Sequence, residues 1–149
     1  MKNVALKTSL VTAAWLAAAS IASAHNQNGA LGTAAGATDY YQVTCSDDGN
    51  GPAAYLAFEI TDLAPKAAPI VSGQVAAIVG RVGVAANTTD AVDGNAASSP
   101  TINVQGGNGV YYVTIDKTKA GAELYSFDYH CMTSSGVHTG TSIYTLQSQ

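Results

Sequence analysis

The chain is poor in charge. Asp, Glu, Lys and Arg make up 11% of its 149 residues, against about a quarter in an average soluble domain. Six Lys and Arg stand against ten Asp and Glu, for a net charge of −4. A track for nucleic-acid phosphates needs a cationic surface, so this balance argues against nucleic acid as a partner. A disordered tail needs dense charge and few hydrophobic residues, whereas 47% of this chain is hydrophobic. Aromatic residues reach only 7% and include a single tryptophan. Heptads, a solenoid period and a GxSxG nucleophile elbow are all missing. Gly106-Gly107-Asn108-Gly109 lacks the lysine and following helix that a P-loop requires.

Long hydrophobic runs are also missing beyond the first two dozen residues. Lys2 and Lys7 precede an apolar run from Ser9 to Ile21, and Ala22-Ser23-Ala24 follow it. This is the charged, apolar and small-residue order of a secretory signal peptide, and the run is too short to span a bilayer core of about 30 Å. The expectation is a signal peptide over 1–24, removed after Ala24. Removing 24 of 149 residues leaves 125, enough for one domain with a real core. Cleavage takes away two lysines, no acidic residue and Trp15, so the net charge moves from −4 to −6. The expected location is secreted or periplasmic, off the membrane once the signal is cleaved.

Cysteine is equally sparse. Cys45 and Cys131, 86 positions apart, are the only two. They lack CxxC spacing and lie in strand-like runs, and exported proteins meet an oxidising compartment. A disulfide between them is expected.

From His25 to Thr38 the sequence HNQNGALGTAAGAT has no period and reads as a flexible N-terminal arm. Strand signals start at Asp39. Tyr41, Val43 and Cys45 alternate onto one face, as do Leu56, Phe58 and Ile60, then Tyr111, Val113 and Ile115. Tyr125, Phe127, Tyr129 and Cys131 share a face, with Ser126, Asp128, His130 and Met132 on the other. Ile70–Val84 reads as one bent strand or two, and Ala85–Pro100 as a long loop. Turn clusters punctuate the chain at near-regular intervals, and no helical pattern stands out. The expected fold of residues 39–149 is an all-β, antiparallel β-sandwich of immunoglobulin-like type with about seven strands.

Three histidines carry the most specific chemistry. His25 falls at the expected mature N-terminus, and His130 and His138 flank the last turn. A terminal histidine offers an α-amine and an imidazole from one residue, titrating near ~8 and ~6.5, so a metal displaces their protons at mild pH. A further imidazole completes a tetragonal nitrogen set, which favours Cu(II). Asp128 shares a face with His130 as ligand or outer-shell acceptor, and the Met132 thioether would suit Cu(I). The expected metal residues are therefore His25, His138, His130 and Asp128, with copper as the ion.

This arrangement resembles the histidine brace of secreted copper proteins, the lytic polysaccharide monooxygenases and the CopC-type periplasmic carriers. Ser135-Gly136-Val137-His138 through Tyr144 also looks like the terminal hairpin of the CopC type, where a histidine near the last strand binds copper. The resemblance implies a copper carrier or buffer. The short chain and the lack of tryptophan in its mature part point away from a lytic monooxygenase with a flat polysaccharide surface.

Two other classes stay open. Low charge, abundant small residues and unpaired sheet edges suit a self-assembling subunit of an extracellular layer, filament or matrix. The adjacent pairs Tyr40-Tyr41 and Tyr111-Tyr112 must each turn one ring outward, which suits a carbohydrate-binding module. Asp47, Asp48 and Asn50 resemble a fragment of a calcium loop without its closing glutamate.

Overall fold

In the computed structural model, residues 25–67 and 69–149 are described. The expected signal peptide over 1–24 lies outside the described residues. Nine strands form, and the described residues contain no helix. They are β1 (Asn26–Leu31), β2 (Asp39–Ser46), β3 (Tyr55–Leu63), β4 (Val71–Val79), β5 (Val82–Thr89), β6 (Ile102–Val104), β7 (Gly109–Lys117), β8 (Glu123–Met132) and β9 (Gly140–Gln147). Antiparallel pairing builds a four-stranded sheet in the order β1-β8-β3-β6 and a five-stranded sheet in the order β5-β4-β7-β2-β9. The all-β sandwich is thus observed, with nine strands rather than about seven. No helix among the described residues is long and apolar enough to cross a membrane.

The count rises for two reasons. Ile70–Val84 breaks at Gly80, whose φ of 62° opens a tight turn, so β4 and β5 form a hairpin. Pairing with β4 carries β5 on to Thr89, well into the expected loop. The second gain is β1. The segment 25–38, expected as a flexible arm, contributes an edge strand whose six residues all pair with β8. Its sequence NQNGAL lacks alternating large apolar residues. The strand is held by backbone hydrogen bonds and one buried anchor, Leu31.

The core lies between the sheets. Phe127 on β8 packs edge-on against Tyr41 of β2, with ring centres 5.1 Å apart, and tilts against Phe58 of β3 at 5.3 Å. Cys45 and Cys131 form the expected disulfide, joining β2 of one sheet to β8 of the other. A polar chain also crosses the core. The Tyr41 and Tyr125 hydroxyls lie 2.6 Å apart, and the Tyr125 hydroxyl donates to the carboxylate of fully buried Asp39. The other Asp39 oxygen accepts the backbone N–H of Gln149 at 2.6 Å, which ties down the C-terminal end. Burial and the Asp39 hydrogen bond raise the Tyr125 pKa, so its hydroxyl remains a donor.

Candidate metal centre

β8 is central to the site. Its inward residues Tyr125, Phe127, Tyr129 and Cys131 are buried, so strand alternation leaves Asp128, His130 and Met132 on the outer face. After Met132 the chain makes a tight turn. Gly136 (φ 78°) donates its N–H to the Thr133 carbonyl at 3.0 Å, and the Thr133 side chain accepts the N–H of Val137 at 3.1 Å. His138 therefore returns opposite Met132 as an isolated antiparallel bridge. Next to it, buried Thr139 donates its hydroxyl to the Gly51 carbonyl at 2.7 Å, and its N–H reaches the Cys131 carbonyl at 2.9 Å. The diagonal offset of a twisted antiparallel pair places the His138 ring against His130, with ring centres 4.4 Å apart.

His25 reaches the same place from the other side of β8. It directly precedes β1, and its carbonyl accepts the N–H of Tyr129 at 3.0 Å. Its ring lies 5.6 Å from that of Tyr129 and 6.0 Å from that of His130. All three histidines, from positions 25, 130 and 138, thus meet at one end of the four-stranded sheet. Each is half-buried. The Nδ1 atoms of His25 and His130 are buried without a hydrogen-bond partner among the described residues. A buried ring nitrogen without a partner is costly, and a metal ion is one of the few groups that satisfies it.

Burial, then the neighbouring His138 and His25, push the His130 pKa down, with Asp128 and Glu59 acting in the opposite direction. His130 is therefore neutral at pH 7, which is the ligand form. Asp128 and His130 border a depression of about 380 Å³ together with Ala57, Glu59 and Thr101. One Asp128 oxygen accepts a hydrogen bond from the Asn26 amide at 3.1 Å, so Asp128 is oriented by β1.

The four residues expected from sequence fall in one neighbourhood. His130 sits in the middle, its ring centre 6.0 Å from that of His25 and 4.4 Å from that of His138. Glu59 was not foreseen. It stands opposite Asp128 in the β3–β8 register, a relation no local motif reveals. The Asp47-Asp48 turn closes on itself. Asp47 accepts the N–H groups of Gly49 and Gly51, and Asp48 that of Asn50. A second acidic group, Asp62, Asp93 and Glu123, was also unforeseen and lies at the far end of β8.

The tyrosine pairs split as expected. Tyr41 and Tyr111 are buried, while Tyr40 and Tyr112 stack on the outside of the five-stranded sheet with ring centres 5.6 Å apart. No protein-family model matches the chain, and no curated protein matches it in sequence.

Proposed function

We propose that the mature protein binds copper through His25, His130 and His138, with Asp128 beside them, and serves as an exported carrier or buffer rather than an enzyme. The observation that carries the reading is the meeting of three histidines, two of them with buried Nδ1 atoms that have no partner among the described residues. The His25 Nδ1 has a particular advantage. An ion held by Nδ1 and by the α-amine of the same residue closes a six-membered chelate ring, whereas Nε2 is too far from the amine to do so. Processing after Ala24 would create that amine. Two further imidazoles supply nitrogen donors of the kind that suit Cu(II). The site lies on the outer face at one end of a sheet, as suits transfer of an ion.

The test is titration of mature protein beginning at His25 with Cu(II), followed by electron paramagnetic resonance and competition with a chelator of known affinity. One residue added ahead of His25, or His130→Ala, is expected to weaken binding by roughly a hundredfold, about 2.7 kcal/mol. The nitrogen hyperfine pattern should change with it. Unchanged affinity after the extension would remove the terminal chelate from the reading.

One observation favours a second reading, a self-associating extracellular subunit. Ile78, Val79 and Val82 at the β4–β5 hairpin tip are 73%, 46% and 65% exposed, an apolar group that a neighbouring copy would cover. Strict monomer behaviour in sedimentation at high concentration would count against it. The carbohydrate-binding alternative rests on the Tyr40–Tyr112 stack, which borders a depression of about 480 Å³.

A further inference from the structure

We propose that Asp62, Asp93 and Glu123 form a calcium site, separate from the histidine cluster and structural in role. Glu123 and His130 lie seven residues apart on one strand, roughly 23 Å by strand rise. One ligand oxygen from each of the three carboxylates falls within 4.8 Å of the others. Calcium–oxygen distances of about 2.3–2.6 Å put opposing ligands roughly that far apart.

The hydrogen bonding singles out these side chains. Asp62 uses Oδ2 to accept the N–H of Val71 at 3.0 Å, and Asp93 uses Oδ2 to accept that of Ala67 at 2.6 Å. Asp62 Oδ1, Asp93 Oδ1 and both oxygens of Glu123 are buried and have no N–H partner among the described residues. Glu123 is only 2% exposed and Asp62 is fully buried. Among the described residues the only donor to these four oxygens is a carboxyl proton shared between Asp62 and Glu123, and an uncompensated buried carboxylate is expensive. Neighbouring Asp90 differs, because both its oxygens accept backbone N–H groups, from Asp62 and Val92.

The cation acting on Glu123 is Lys117, whose ammonium donates to the carbonyls of Gly32 and Gly121. One ammonium does not balance three carboxylates. All-oxygen donors suit a hard cation, and a glutamate with both oxygens free can bind side-on, as calcium accepts and magnesium resists. Glu123 also borders an apolar depression of about 250 Å³ with Leu31, Pro65 and Leu124. The bound ion would fasten the loop carrying Asp93 to the end of β3 and the start of β8.

Calorimetric titration of chelator-treated mature protein with CaCl₂ at pH 8, paired with thermal unfolding, tests the site. Calcium at a hundred times its dissociation constant should raise Tm by roughly 8 °C. Glu123→Gln and Asp93→Asn should each abolish the response and still fold, since both are isosteric and relieve repulsion. Asp62→Asn should raise the calcium-free Tm at pH 8. His130→Ala should leave the calcium response intact, which keeps this site distinct from the copper reading. Absence of both heat and Tm shift at millimolar calcium would overturn the proposal, as would a response that survives Glu123→Gln and Asp93→Asn. An equal shift with magnesium would overturn the choice of calcium.

Discussion

Replacing Cys45 and Cys131 together with alanine should lower the stability of the mature domain by about 4 kcal/mol, a fall in Tm of roughly 15 °C. The bridge closes a loop of 86 residues, so in the unfolded chain it removes many open conformations. It also sits where the loss is felt most, between an inner strand of each sheet, with Cys45 2% exposed and Cys131 fully buried. Alanine at both positions leaves a small void as well as a longer unfolded chain. Calorimetry of the double variant beside the oxidised parent is the measurement. A fall below about 3 °C would mean that residual contacts in the unfolded chain already restrict it as much as the bridge does.

Gly29→Ala should cost about 3 kcal/mol, through crowding of roughly 1–3 kcal/mol and a broken buried hydrogen-bond chain. Gly29 stands opposite Tyr125 in the β1–β8 register. A Cβ there would fall onto the ring carbon that carries the Tyr125 hydroxyl, and onto the hydroxyl itself. The missing side chain is what lets the Tyr125 ring lie across β1 and present its hydroxyl to Asp39 and Tyr41. Displacing the ring leaves Asp39, which is fully buried, short of a donor. Thermal unfolding of Gly29→Ala, Tyr125→Leu and the double variant forms a cycle. The double variant should lose clearly less than the sum of the singles. Strict additivity, or a Gly29→Ala protein as stable as the parent, would show that the ring does not depend on the gap.

Both variants probe features of different visibility. The disulfide was legible in advance because Cys45 alternates with Tyr41 and Val43, and Cys131 with Tyr125, Phe127 and Tyr129. Each cysteine therefore had to face the core, and two inward cysteines from opposite sheets can meet. Gly29 was not legible. In the sequence it belongs to a run of small and polar residues, and its meaning comes from the ring on the adjoining strand. The same is true of β1 as a whole. An edge strand fastened by main-chain hydrogen bonds needs little alternation of its own, so side-chain pattern says little about it.

The candidate site shows a similar division. Histidines at 25, 130 and 138 were recognisable as nitrogen donors, and Asp128 as their companion on β8. Their spacing in the chain says nothing about distance. The turn from Thr133 to Gly136 brings His138 back beside His130, and pairing of β1 with β8 brings His25 to the same end of the sheet. The acidic group could not be foreseen at all. Asp62 ends one hydrophobic strand, Asp93 lies in a loop and Glu123 begins another strand. Singly, each looks like an ordinary solvated residue at the end of an element.

What the amino-acid order determined alone was the two-faced character of β2, β3, β7 and β8. Alternation at period two is a property of neighbouring residues, and burying the apolar face leaves little choice of class. Which strands became neighbours, and so which histidines and carboxylates met, was decided only in the folded molecule. Strand pairing is long-range: main-chain hydrogen bonds look alike at every position, and register is selected when both sheets close over one core.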